Sequence, residues 1–148
     1  MAQSFSKIYL HLVFSTKDRR KIIPKDRKED LHAYLAGILN NLNSHALEIN
    51  SMPDHVHILF NLSKTLSASK LVEQLKSSSS HWIKEQGILW DGWQNAYGIF
   101  SVSESQLEVV QNYIQNQEAH HQTLSYEDEL RKLLRKHRVE FDEVNLWR

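Results

Sequence analysis

The chain has 148 residues, enough for one domain with a short tail, and its hydrophobic fraction of 41% supports a packed core and excludes a disordered chain. Its 18 basic and 18 acidic residues cancel, so the overall charge does not indicate a nucleic-acid partner. Cysteine is absent, which excludes disulfides, thiolate nucleophiles and cysteine-bound zinc, so any metal site must use histidine, carboxylate or amide ligands. We find neither a membrane-spanning stretch nor a secretory signal pattern, and we expect a cytoplasmic protein with no membrane partner.

The first half of the chain combines strand and helix patterns. Residues 7–16 place apolar side chains at every second position, which predicts a strand, and residues 25–43 place them at helical spacing. Residues 45–51 and 55–62 predict two further strands, joined by the turn Met52-Pro53-Asp54.

The second half contributes one more strand and three helices. The patterns predict, in chain order, a helix over residues 67–86, a strand over 97–103, a helix from 103 or 105 to about 121, and a helix over 125–137. The tail over residues 141–147 is apolar, and we expect it to dock on its own domain or on a second subunit.

The order β-α-β-β-α-β predicts an α+β fold of the ferredoxin-like (split β-α-β) type, a four-stranded antiparallel sheet with two helices on one face. The helix that carries Tyr113 is expected to cover the other face, and the last helix is an addition to this fold. Many functions occur on this fold, so the fold alone predicts no chemistry.

His55 and His57 flank Val56 on the third predicted strand. Side chains two residues apart on a strand point to the same face, so the two imidazoles lie side by side, while Val56 and Ile58 face the core. Two neutral imidazoles form half of a divalent-metal site. A His-x-His pair also occurs in unrelated, partly exposed positions, so the pair alone leaves both interpretations open.

Tyr113 and Gln117 are four residues apart on a predicted helix and therefore share one face. If that face lies against the histidine strand, Gln117 can supply a third metal ligand and Tyr113 can stand over the metal. A divalent cation would then assist attack of the phenol on a phosphodiester, and a phosphotyrosine would conserve the bond energy for rejoining. The alternative is a core tyrosine packed beside Val109 and Val110.

Together these residues resemble the single-tyrosine HUH (His, hydrophobic, His) transposases, which comprise the smallest insertion-sequence transposases and the REP-associated tyrosine transposases. The resemblance rests on Pro53-Asp54-His55-Val56-His57, on residues 97–103 and on residues 113–121, which end in two histidines. It covers nearly the whole chain, and the order and spacing of the three motifs make it specific.

The resemblance implies a metal-dependent transposase that cuts and rejoins single-stranded DNA. Tyr113 matches the nucleophile, which forms a 5′-phosphotyrosine and releases a 3′-OH, while His55, His57 and Gln117 match the ligands of Mg²⁺ or Mn²⁺. The implied partners are single-stranded DNA with a hairpin and a second copy of the chain, because family members form homodimers in which the tyrosine helix completes the partner's site. We divide the chain into a catalytic domain, residues 1–124, and a C-terminal helix and tail, residues 125–148.

Basic residues are concentrated after the first strand, where residues 17–28 hold seven basic and two acidic side chains. We expect phosphate contacts at Lys17, Arg19, Arg20 and Lys21, although a solvated loop would have the same composition. Two histidines and an amide are a weak ligand set for Mg²⁺, which prefers oxygen ligands. We therefore expect firm metal binding only when a DNA phosphate supplies a further ligand.

Two other functions fit parts of the sequence. A domesticated, non-catalytic protein that binds single-stranded nucleic acid could keep this fold and its exposed aromatic residues. Against it, Tyr113, Gln117 and both histidines are all present. A small-molecule metalloenzyme is a third possibility, but no general base is evident near the histidine pair.

Overall fold

The computed structural model describes residues 2–148 and contains one four-stranded antiparallel sheet. Its strands are β1 Tyr9–Thr16, β2 Ala46–Met52, β3 His55–Asn61 and β4 Trp93–Val102, in the order β2-β3-β1-β4. The helices are α1 Lys28–Asn41, α2 Ala68–Glu85, α3 Leu107–Gln115, α4 Gln117–His120 and α5 Tyr126–Lys136, with 3-10 turns at Lys17–Arg19, Lys25–Arg27 and Glu104–Gln106. This arrangement confirms the predicted ferredoxin-like α+β fold. None of the helices over residues 2–148 is long and apolar enough to cross a membrane.

The first face of the sheet forms the main core with α1 and α2. Alternate residues of the two central strands are fully buried there, and they pack against the apolar stripes of the two helices: Leu12, Phe14, Val56, Ile58 and Phe60 from the strands, with Leu31, Leu35, Leu39, Leu71 and Leu75 from the helices. Burial of each such side chain stabilises the fold by roughly 1.5–3 kcal/mol. The prediction that Val56 and Ile58 face this core is confirmed.

The second face of the sheet is covered by α3, α4 and α5. Val13 of β1 and Phe100 of β4 form a smaller core there with the apolar side of α5, whose buried residues include Leu130, Leu133 and Leu134. The α5 helix begins after Ser125, whose hydroxyl accepts a hydrogen bond from the Asp128 backbone N–H at 3.2 Å. The same face also carries buried polar residues, among them His11 of β1 and both histidines of β3.

The C-terminal tail also packs against this smaller core, through Phe141, Leu146 and Trp147. The guanidinium groups of Arg19 and Arg131 both lie over the aromatic ring of Trp147, at 4.8 and 5.2 Å from the ring centre. Both α5 and the tail pack against the sheet that residues 9–102 form. The division of the chain at residue 124 stays a prediction.

The third helix differs from its predicted form, since it ends at Gln115 and a separate short helix begins at Gln117. The side-chain amide of Asn50 on β2 donates to the backbone carbonyls of Ile114, at 2.8 Å, and Gln115, at 3.4 Å. A continuous helix would use those carbonyls for its own next turn. This contact with the sheet therefore accompanies the break.

Candidate active site at the histidine pair

His55 and His57 lie on the second face of the sheet, and both side chains are fully buried. The Nδ1 atom of each ring makes a hydrogen bond to a neighbouring side chain. Nδ1 of His55 donates to Asp54 at 2.6 Å, and Nδ1 of His57 shares a 2.8 Å hydrogen bond with Nε2 of His11 on β1. Hydrogen bonds of this kind fix the ring orientation of metal-binding histidines. The Nε2 atoms of the pair consequently face the same polar cluster beneath α3, α4 and α5.

Tyr113 and Gln117 reach this cluster from the same chain. Gln117 is fully buried, and its Oε1 lies 3.1 Å from Nε2 of His55. The ring centre of Tyr113 lies 5.9 Å from that of His57. Tyr113 therefore faces the histidines and is not a core residue beside Val109, whose side chain is 55% exposed. All four predicted site residues come together within one chain.

Glu129 of α5 is the central residue of the cluster, and the sequence reasoning did not find it. Its side chain is 1% exposed, and its Oε1 lies 3.0 Å from Nε2 of His57 and 3.3 Å from Nε2 of His55. Its Oε2 accepts hydrogen bonds from the Gln117 side-chain amide, at 2.9 Å, and from the Tyr113 hydroxyl. One carboxylate thus contacts every predicted catalytic and metal-binding side chain.

His121 is a second residue that the sequence reasoning left without a role. Its Nε2 lies 3.0 Å from Oε1 of Gln117 and 3.0 Å from Oε1 of Glu129. A signal for it was available, since Tyr113, Gln117 and His121 follow one another at intervals of four residues. The signal for Glu129 was its position on the apolar stripe of the last helix.

The donor atoms of this cluster fit a divalent cation. His55, His121 and Glu129 each offer a ligand atom, and these three atoms lie within 4.8 Å of one another. Neighbouring ligands on an octahedral Mg²⁺, at about 2.0–2.1 Å from the ion, are about 3 Å apart. The nitrogen–oxygen distances of 3.0–3.3 Å in the cluster match that separation. The carboxylate also supplies the charged oxygen that Mg²⁺ and Mn²⁺ favour.

The electrostatics of the cluster keep Glu129 charged and Tyr113 neutral. Burial alone would raise the pKa of Glu129, but hydrogen bonds from three imidazoles outweigh it and hold this pKa well below its usual value. Burial alone would lower the pKa of His55, but its contacts with Asp54 and Glu129 raise it to about 9. Burial, together with the charge of Glu129, raises the pKa of Tyr113 above its ordinary value of 10.0. Tyr113 is therefore a protonated phenol at neutral pH, hydrogen-bonded to a carboxylate.

A groove of about 640 Å³ opens beside Tyr113, between α3 and α5. Tyr113 and Glu129 are among its lining residues, together with the exposed Lys132 and Lys136 of α5. An extended phosphodiester chain could reach the phenol through this groove while the lysines neutralise its phosphates.

The basic turn after β1 lies apart from this groove lining. Arg19 is engaged within the chain, with its Nε 3.7 Å from Oε1 of Glu127, and Arg20 pairs with a carboxylate in the loop before β4. Lys17 and Lys21 are exposed. Phosphate contacts at these four residues stay a prediction.

Comparison with known proteins finds similar transposases. Residues 4–117 match the family model described as IS200-like transposase. The ISDra2 transposase TnpA of Deinococcus radiodurans is 28% identical over 116 residues, which are 72% of this chain and 81% of that protein. A crystal structure of a protein from Deinococcus radiodurans R1 assigned as a transposase has 25% identity and a TM-score of 0.60, and the match covers 79% of this chain and 98% of that one.

A REP-associated tyrosine transposase bound to a REP hairpin shares the fold, with a TM-score of 0.63 at 14% identity over 82% of this chain and 73% of that one. The family match spans 4–117, well over half of the chain. The chain therefore belongs to the IS200-like transposase family.

Proposed function

We propose that this transposase cleaves and rejoins single-stranded DNA through a 5′-phosphotyrosine on Tyr113, and that Mg²⁺ or Mn²⁺ bound at the histidine cluster assists the reaction. The observation that carries the proposal is the convergence of the Tyr113 phenol, two imidazole Nε2 atoms and the Gln117 amide beside a groove that Tyr113 lines. A tyrosine with only a packing role would not need contacts with two imidazoles and a buried amide.

The side chains divide the chemistry between them. His55, His57 and Gln117 would hold the cation, which when bound neutralises the phosphate charge and favours attack at phosphorus. In cleavage, the Tyr113 oxygen loses its proton and forms a bond to phosphorus, and the bond from phosphorus to the 3′ oxygen breaks. That oxygen takes up a proton and leaves as a 3′-OH. Rejoining is the reverse, because a 3′-OH attacks the phosphotyrosine and Tyr113 regains its proton.

The DNA partner and the assembly are part of the same proposal. The groove walled by Lys132 and Lys136 would guide the single strand to Tyr113, and the basic turn at Lys17 and Lys21 would contact phosphates of a flanking hairpin. Hairpin recognition is supported by the fold shared with the transposase bound to a REP hairpin. We also propose a homodimer, in which each copy uses its own Tyr113, since this tyrosine reaches the histidines of its own chain.

Incubation with single-stranded hairpin oligonucleotides and Mn²⁺ tests the proposal. The wild type should form a protein–DNA adduct that survives denaturing electrophoresis, and Tyr113→Phe should form none. Tyr34→Phe is the matched control, because this tyrosine stacks on Trp82 on the other side of the sheet. A wild type without adduct, or a Tyr113→Phe variant with equal adduct, would refute the mechanism. Binding of the oligonucleotide without adduct would favour the non-catalytic binding protein.

A further inference from the structure

We propose that Glu129 is a fourth protein ligand of the divalent cation and that the same carboxylate positions the Tyr113 nucleophile. The inference rests on the proposed function of this site and extends it to α5, a helix beyond the residues that match the transposase family model. It assigns one oxygen of the carboxylate to the metal and the other to the phenol.

The geometry separates the two oxygens of Glu129. Oε1 lies at 3.0–3.3 Å from Nε2 atoms of His55, His57 and His121, on the side where the imidazoles converge. Oε2 accepts the hydrogen bond of the Tyr113 hydroxyl. A carboxylate that binds the cation through Oε1 therefore holds the phenol oxygen beside it through Oε2.

The contacts of His55 are compatible with a cation in place of a proton. Asp54 can only accept, so Nδ1 of His55 carries a proton, and Nε2 is the ring atom that can bind a metal. That atom lies 3.3 Å from Oε1 of Glu129 and 3.1 Å from Oε1 of Gln117. A divalent cation bound among these donor atoms would take the place of the proton that the imidazole otherwise donates to the carboxylate.

Charge balance supports the same assignment. Glu129 is 1% exposed, and a buried carboxylate is costly unless positive charge compensates it. Across residues 2–148, the ion-pair partners of Glu129 are three histidines, with no lysine or arginine among them. A divalent cation would compensate the carboxylate while leaving the imidazoles neutral, which is the form in which they act as ligands.

This ligand changes an expectation from the sequence. Two histidines and an amide were too weak a set for Mg²⁺ without a DNA phosphate, but a carboxylate adds the hard, charged oxygen that such ions favour. The free protein should therefore bind Mn²⁺ without DNA. The competing explanation is a purely structural ion pair, in which Glu129 neutralises a protonated imidazole and takes no part in metal binding.

The test is a titration of the DNA-free protein with Mn²⁺. Electron paramagnetic resonance measures the free ion, and the melting temperature is measured with and without Mn²⁺. Wild type should bind, and Glu129→Gln, which keeps the shape but removes the charge, should bind at least about tenfold more weakly. The Mn²⁺-induced rise in melting temperature should shrink accordingly. Asp128→Asn is the matched control, because the neighbouring carboxylate is at the surface and should leave Mn²⁺ binding unchanged.

If Glu129 had only a structural role, Glu129→Gln would lower the melting temperature equally with and without Mn²⁺ and would leave the affinity for Mn²⁺ unchanged. That result overturns the inference. Absence of Mn²⁺ binding by the wild type overturns it as well. If Glu129→Gln does not fold, Glu129→Asp, which keeps the charge but withdraws it by one methylene, should show the weakened binding instead.

The adduct assay separates the two proposals. Glu129-dependent Mn²⁺ binding without an adduct refutes the strand-cleavage mechanism alone, whereas an adduct with Glu129-independent binding refutes the metal-ligand assignment alone.

Discussion

The docking of the C-terminal tail on its own chain can be tested by Trp147→Ala. The ring of Trp147 contacts the guanidinium groups of Arg19 and Arg131, and its backbone carbonyl accepts a hydrogen bond from the side-chain amide of Gln94. Arg131 belongs to α5, the helix that carries Glu129, so the tail supports the helix that completes the site. Removal of the indole should destabilise the fold without touching the site directly.

The expected loss follows from these contacts. An aromatic side chain buries roughly 150–250 Å², and half of that area at about 25 cal/mol per Å² contributes roughly 2–3 kcal/mol. Only half of the area counts because the Trp147 ring is partly exposed in the folded chain and the unfolded chain already hides some apolar surface. Two cation–π contacts at a partly exposed site add about 0.5 kcal/mol each. The total of about 3–4 kcal/mol should lower the melting temperature by roughly 6–16 °C for a chain of this size.

Differential scanning fluorimetry and urea unfolding measure the loss. Val144→Ala is the matched control, because this residue lies in the same tail but is 69% exposed, and its substitution should change stability by less than about 0.5 kcal/mol. A decrease in melting temperature below about 2 °C for Trp147→Ala would show that the tail does not dock as described. A loss that disappears at low protein concentration would instead place the tail on a second subunit.

Three further predictions concern the site, the pH response and the DNA path. A mixture of Tyr113→Phe and His57→Ala proteins should form no adduct on hairpin oligonucleotides, since each chain supplies both groups to its own site; recovered adduct would show sites shared between two chains. His32, whose pKa is lowered by burial from 6.5 to about 4, binds fewer protons in the folded than in the unfolded chain, so it contributes stability above pH 6.5 that is lost as the pH falls towards 4. Melting curves of His32→Asn should thus depend less steeply on pH in that window, and an unchanged slope would contradict the assignment. Lys132→Ala with Lys136→Ala should reduce the slope of log affinity against log salt for single-stranded DNA by about 1.4, whereas two lysine substitutions in α2 should leave the slope unchanged.

The local patterns predicted most of the fold because they depend on short-range rules. The alternation along β3 placed Val56 and Ile58 in the core and both histidines on the opposite face, as the structure shows. The last helix begins directly after Ser125, where the apolar periodicity predicted its start. These features follow from backbone geometry within a few residues, so no knowledge of distant contacts was needed.

The boundaries that were missed depend on long-range contacts. β4 begins at Trp93, four residues before the predicted start, because Trp93 still pairs with Thr16 of β1 beyond a register shift in which β4 has the extra residues. Its indole packs edge-on against Phe14, with ring centres 4.7 Å apart. The break after α3 involves the side chain of Asn50, more than sixty residues away. Neither partner can be identified from a local window of sequence.

Glu129 shows what the same patterns could have indicated about the site. On α5 it lies three residues after Tyr126 and four before Leu133, both buried, so helical periodicity alone puts its carboxylate on the buried face. A carboxylate in that position must be compensated, and polar side chains on the second face of the sheet, His11, His55 and His57, were the available partners. Glu129 contacts these histidines only because α5 packs across the second face of the sheet. The periodicity of the sequence does not determine how a helix packs on a sheet. A charged residue within an apolar helical stripe, on a chain with an unexplained polar sheet face, is therefore a reason to look for a site before the structure is known.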